Sequence, residues 1–190
     1  MFKNEERKTM AQIIREEELQ GKYVNLREIT LADAAFVVAL RCSPKAKFLN
    51  PTKNDVGLQE QYIENYFKKN DEWYFIVEDK QGKALGTIRI HNAHDGEFGS
   101  ISWIMSDDAK QEQTLEGEYL LKHYAYHVLG FHKNCFEVRK ANKKVVQYHK
   151  FCGSRIVGET DIDYLFELTK DEFDSNKHKL LDLMEIYAKD

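Results

Sequence analysis

The 190-residue sequence has no apolar run near the roughly 20 residues a bilayer-spanning helix needs, so no transmembrane segment is expected. It has no basic excess either. Its 28 Lys and Arg against 32 Asp and Glu leave a formal net charge of -4, which argues against a general nucleic-acid-binding face. Neither nucleic acid nor membrane is expected as a partner. Cysteine is scarce: Cys42, Cys135 and Cys152 are odd in number and lack metal-ligand spacing, which suits a reducing cytoplasm rather than a disulfide framework. The N-terminus is charged and shows no apolar core, so no secretory signal is visible. The two prolines, Pro44 and Pro51, both fall in 43–55, which reads as a loop between helices. No repeat, low-complexity tract or linker is evident. What is present is 42 % hydrophobic residues in a chain of single-domain length, enough for one packed core.

Residues 1–21 are rich in Glu, Lys and Arg and read as an N-terminal extension; Met10, Ile13 and Ile14 can share one helix face there. The domain is expected over 22–190. A first strand over 23–29 alternates Val24, Leu26 and Ile29, and Thr30 then caps a helix holding Ala34, Ala35, Val38 and Leu40, with Asp33 in the capping-box position. A helix over 58–68 follows the proline loop. The run 73–77 is continuously apolar and bounded by charge, which predicts a central strand. Lys80-Gln81-Gly82-Lys83 reads as a hairpin turn into a strand over 84–91, and 92–97 turns back. A late strand over 162–168 and a terminal helix over 172–188, with Leu180, Leu181, Met184 and Tyr187 at helical spacing, complete the chain.

The stretch 98–158 organises the rest. It predicts a strand (98–105) around Ile101, Trp103 and Met105, a polar loop (106–113), a helix (114–129) ended by Gly130, a strand (135–139) and a helix (142–151). Asn142, Val145, Val146 and His149 share one face of that last helix. A strand, a loop and a helix start make an anion site, because the first-turn N–H groups have no partner inside the helix.

Four pieces in order carry a resemblance. Val24-Asn25-Leu26-Arg27-Glu28-Ile29-Thr30-Leu31-Ala32-Asp33, Lys83-Ala84-Leu85-Gly86-Thr87-Ile88, Glu137-Val138-Arg139 and Asn142 through Gly153 are similar to the first strand and helix cap, the third strand, the fifth strand and the fourth helix of the GNAT N-acetyltransferase superfamily. The chain resembles most the branch shared by ribosomal-protein and bacterial amino-sugar acetyltransferases, over about residues 22–168. The resemblance implies an α/β fold with a twisted, mixed sheet of six or seven strands and helices on both faces. It also implies acetyl-CoA as cosubstrate, a small-molecule amine as acceptor and a monomer or homodimer.

On that resemblance, backbone groups of Ile104, Met105 and Ser106 pair with the pantetheine arm and the oxyanion. The run Glu112-Gln113-Thr114-Leu115-Glu116-Gly117 receives the pyrophosphate, Asn142 binds the arm or caps its own helix, and Lys144 lies near the 3′-phosphate with Lys140 and Lys143. The family loop is richer in glycine; here only Gly117 fits. Asp107, Asp108, Glu112 and Glu116 add negative charge opposed by Lys110, which is expected to weaken coenzyme binding.

Amine acylation needs a proton acceptor, oxyanion donors and a proton donor for the sulfur. His149 stands where the family has a tyrosine and is the candidate donor, with a useful charged fraction at an ordinary pKa of about 6.5. Glu137 is the candidate base, with pairing to Arg139 or a lysine as the structural alternative; Asp95 and Glu97 read as turn residues beside the cleft. The pairs His91/His94 and His123/His127 have zinc-compatible spacing but no third ligand, so no metal is expected. Trp73, Tyr74, Phe98 and Trp103 read as core. An amino-sugar nucleotide is the favoured acceptor. A protein or ribosomal N-terminus and a catalytically silent CoA-binding module are the alternatives.

Overall fold

The computed structural model describes residues 14–189. Seven strands form one mixed sheet: β1 (Val24–Glu28), β2 (Trp73–Asp79), β3 (Ala84–His94), β4 (Glu97–Met105), β5 (Lys133–Arg139), β6 (Arg155–Glu159) and β7 (Asp163–Thr169). Their spatial order is β1-β2-β3-β4-β5-β7-β6. Neighbours run antiparallel except β4 and β5, which are parallel and register at just two positions, Glu97 with Lys133 and Phe98 with Asn134. The helices are α1 (Ala34–Arg41), α2 (Val56–Tyr66), α3 (Gln111–His123), α4 (Lys143–Phe151) and α5 (Lys170–Tyr187). This is the expected α/β architecture with helices on both faces.

The apolar run of β2 follows from that sandwich. Trp73, Phe75 and Val77 pack with Leu120, Leu121 and Tyr124 near α3, while Tyr74 and Ile76 pack with Val37 and Ile63 of α1 and α2. Successive side chains point to opposite faces, so burial on both erases alternation. The strand is nevertheless antiparallel and second from the edge; the centre of the order is β4.

Asp33 accepts from Thr30 N and Thr30 Oγ1 at 2.8 and 2.9 Å, so the expected cap forms, and Arg27 grips the same carboxylate at 2.8 and 2.7 Å. α3 begins three residues before its expected start and widens into a π-type turn over Tyr124–Val128, where Leu129 N–H reaches the Tyr124 carbonyl five residues back. The turn buries Tyr124, Ala125 and Tyr126 in succession. β6 is a missed strand. It is an edge strand, and its pattern of exposed and half-buried residues lacks the apolar face that would betray it.

The packed chain begins before residue 22. Leu19 is fully buried in the main core and Ile14 packs against it, while Met10 and Ile13 lie outside the described residues. Among the described residues no helix is long and apolar enough to cross a membrane, no group of His, Cys, Asp and Glu is placed to hold a metal, and the three cysteines are free.

Candidate active site

Beyond Phe98 and Asn134 the inner edges of β4 and β5 separate, leaving a gap in the sheet. A bulge in β4 shapes it. Between Thr87↔Ile104 and Arg89↔Ile101 the register slips by one residue, Ser102 adopts φ 57°, and Thr87 Oγ1 donates to the Ser102 carbonyl at 2.8 Å. A bulge bends its strand and re-aims the groups around it. Backbone groups alternate sides along a strand. Ser106 N–H donates to Leu85 O at 2.7 Å, and Ser106 O accepts from Lys45 Nζ at 2.9 Å. Ser106 is therefore occupied, Ile104 shares its side toward β3, and Met105 presents its peptide groups to the gap. Of Ile104, Met105 and Ser106, strand register thus turns only Met105 toward the gap.

The start of α3 also differs from the charge-laden loop expected. Asp107 pairs with Lys45 at 2.9 Å and Asp108 with Lys83 at 2.7 Å, cations distant in sequence. Gln113 Oε1 takes the Lys110 N–H at 2.9 Å, and Thr114 Oγ1 donates to Lys110 O at 2.9 Å. The first-turn N–H groups of Gln111, Glu112 and Gln113 lack intrahelical partners, as at any helix start. Thr114 differs: its N–H donates to Lys110 O at 3.0 Å, as its hydroxyl does.

Leu115, Glu116 and Gly117 carry their side-chain positions inward. Leu115 packs with Cys152, Leu180 and Met184, and a Cβ on Gly117 would touch Val77 at 3.3 Å. Glu116 is buried; its oxygens accept the N–H groups of Lys22, Tyr23 and Val24 at 2.8, 2.6 and 2.8 Å. The Glu116 carboxylate thus turns away from the helix start and anchors the start of β1.

On α4, Asn142 occupies the cap position without a side-chain capping bond, so its amide is not committed to its own helix. Lys144 is exposed on the first turn. His149 is buried, its ring 6.1 Å from Trp103 of β4 and 4.5 Å from Phe136 of β5, centroid to centroid. It therefore bridges the strands on either side of the gap. Burial, helped by the charge of Lys122, pushes its pKa well below the usual histidine range. Desolvation thus favours the neutral ring, which has a single N–H. Behind it lies a buried ion pair on α3, Glu118 with Lys122, and Tyr148 Oη donates to Glu118 at 3.0 Å. Burial first and Glu118 second raise the Tyr148 pKa well above its usual value, and push Cys152 up to about 11.

On the α1/α2 side the gap opens into a cavity of about 930 Å³. Glu137 lines it, exposed, with no ion-pair partner among the described residues; Arg139 pairs instead with Asp163 at 3.0 Å. His91 also lines it and stays neutral more readily than usual, through burial and then the nearby Arg89. Sequence reasoning missed Arg89, which stacks against the rings of Tyr62 and Tyr74 at 5.6 and 5.4 Å from its guanidinium carbon. The available signal was a lone charge between Ile88 and Ile90 in an apolar strand. It also missed Glu118 and Lys122, four apart on the helix face that carries Leu115.

The sequence profile of the family described as an acetyltransferase (GNAT) domain matches residues 24–155. No curated protein sequence matches the chain. Among solved structures the chain is similar to apo FdhC, described as a nucleotide-linked sugar GNAT, at 27% identity and a TM-score of 0.78, over 85% of this chain and 94% of that one. It is similar in fold to a GCN5-related N-acetyltransferase from Brucella melitensis at 18% identity and a TM-score of 0.72, over 87% and 84% of the two chains. It is also similar in fold to the spermidine N-acetyltransferase from Vibrio cholerae in complex with CoA and spermine, at 16% identity and a TM-score of 0.71, over 80% and 99%.

Proposed function

The chain belongs to the GNAT acetyltransferase family, and from that premise we propose that it moves an acetyl group from acetyl-CoA to the primary amine of a nucleotide-linked amino sugar. Members of this family are acetyl-CoA-dependent N-acetyltransferases. The observation that carries the reading is the β4–β5 gap opening directly onto a cavity of small-molecule size, about 930 Å³.

The residues present fit the donor. The unpaired inner edges of β4 and β5, with the Met105 peptide groups, offer hydrogen bonds to an amide-bearing arm; the free N–H groups at the start of α3 suit its phosphates. When bound, acetyl-CoA supplies a thioester already activated toward amines. Glu137, without a cation partner, takes the proton the attacking amine sheds. Neutral His149 donates its one N–H as a hydrogen bond to the leaving sulfur, which departs as a thiolate and takes its proton from water. The aromatic rings around His149 keep that part of the gap dry.

The acceptor assignment leans on the similarity to a nucleotide-linked sugar GNAT. Pairing of Asp107 and Asp108 with Lys45 and Lys83 removes much of the motive for a catalytically silent module. The test is release of free coenzyme thiol from acetyl-CoA against a panel of nucleoside-diphosphate amino sugars, polyamines and peptides with free N-termini. Release with an amino-sugar nucleotide is expected. Release with peptides alone would refute the reading.

A further inference from the structure

The acceptor cavity carries unlike charges on different strands. Of the carboxylates on β4, β5 and β7 that line it, Glu97 and Glu167 share Lys133 at 2.8 and 3.3 Å, and Asp163 holds Arg139 at 3.0 Å. Glu137 alone among these has no cation partner among the described residues. On the α1 and β3 side stand Arg41 and Arg89, both lining the cavity. Arg41 donates to neutral acceptors, Thr52 Oγ1 at 2.6 Å and Asn50 O at 2.9 Å, and among the described residues it has no carboxylate partner. Arg89 is 8% exposed; its contact with Glu72 is long, 3.4 Å, and Glu72 is held more tightly by Lys69 at 2.6 Å. The Arg89 Nε is buried and has no partner.

Arg41, Arg89, Tyr62 and Tyr74 line the same cavity, and Arg89 donates through Nη1 to the Tyr62 hydroxyl, a neutral partner. A guanidinium held against aromatic rings with an unused N–H, beside a second arginine satisfied by neutral groups only, is a site prepared for an anion.

We propose that Arg41 and Arg89 form an anion subsite in the acceptor cavity that takes a phosphate group carried by the amine substrate. The subsite rests on reading this cavity as the acceptor site. It also sets a separation. Arg89 lies on β3 and Glu137 on β5, two strands apart, so their backbones are about 10 Å apart before the splay adds to it. An α-amino acid holds its ammonium and carboxylate on one carbon, a poor match to groups on separate strands. A polyamine presents no anion to Arg41 and Arg89. A sugar with its amine on one side of the ring and its phosphate on the other does span the two.

The experiment has a kinetic arm and a binding arm. Acetylation of a nucleoside-diphosphate amino sugar is compared with that of the unphosphorylated amino sugar and of spermidine. The phosphorylated acceptor is expected to exceed the others in kcat/KM by about 100-fold, the scale of two charge-assisted hydrogen bonds. Arg41→Met is expected to cut that preference about tenfold, with Arg41→Lys recovering part of it. Because Arg41 also holds Asn50 and Thr52, Arg89→Gln is run beside it. In the binding arm, inorganic pyrophosphate is titrated by calorimetry with coenzyme A saturating, so that the donor's phosphate site is filled. Binding that weakens about tenfold in either variant supports the subsite even if no amine on the panel is acetylated, in which case only the activity reading falls. Equal use of the three acceptors, or pyrophosphate binding absent or indifferent to both arginines, overturns the subsite.

Discussion

Replacing Glu116 by Gln removes a charge from a helix start that was expected to meet pyrophosphate, so on sequence grounds coenzyme binding should tighten, most at low salt. The structure predicts loss of stability instead. One carboxylate oxygen accepts from Lys22 N at 2.8 Å and the other from Tyr23 N and Val24 N at 2.6 and 2.8 Å, in a residue 6% exposed. A Gln retains one oxygen. In its better orientation it keeps two bonds, and its NH₂ then faces the Lys22 N–H, donor against donor. One bond is lost and the other two lose charge assistance, a cost of about 2–4 kcal/mol. For a domain of this size that corresponds to a fall in Tm of roughly 5–15 °C. Scanning calorimetry at pH 7 reads it directly.

A second substitution checks the geometry. A Cβ at Gly21 would stand 2.5 Å from Glu116 Cδ and Oε2 and 2.8 Å from the Val24 carbonyl, so Gly21→Ala should displace the same carboxylate. The double variant should then lose less than the sum of the single losses, because both break one contact set. A Tm change in Glu116→Gln below about 2 °C, or tighter coenzyme A binding with stability intact, would refute the argument.

Three other outcomes are expected. His149→Phe should lower kcat more than it weakens acetyl-CoA binding, since its N–H serves the departing sulfur; unaltered turnover would remove His149 from the mechanism. Lys122→Met leaves Glu118 buried without its cation and should cost about 3–5 kcal/mol in urea unfolding, with Glu118→Gln in the same chain restoring part of it; additive losses would mean the pair is not coupled. Stability should fall as pH drops below about 6.5, because the unfolded chain binds a proton there that buried His149 refuses, with a slope of up to about 1.4 kcal/mol per pH unit for one histidine. His149→Phe should flatten that slope, and an unchanged slope would contradict the burial argument.

Local chemistry made much of the fold readable. The Thr30 cap, the helical spacing of Leu180 and Met184 and the turn at Gly82 each depend on near neighbours, so periodicity and turn residues suffice to find them. The positions of Glu137 on β5 and His149 on α4 follow from the resemblance carried by Glu137-Val138-Arg139 and by Asn142 through Gly153. β6 escaped because an edge strand without an apolar face leaves no period in the chain.

The site depended on partners far apart in sequence. Lys45 and Lys83 neutralise Asp107 and Asp108 across 62 and 25 positions (107 minus 45, 108 minus 83), Glu116 turns to β1, and Arg89 meets Tyr62 from α2. No local pattern encodes which charges meet or which group is desolvated; the folded packing sets both, and with them the pKa of His149. The sequence by itself carried the family resemblance, most of the element types and the candidate site residues, since motif order and local pattern are written in the chain. Tertiary structure alone decided where charge is cancelled, which strand edges part and what the cavity can hold, because burial and distance exist only once the sheet and helices have closed on one another.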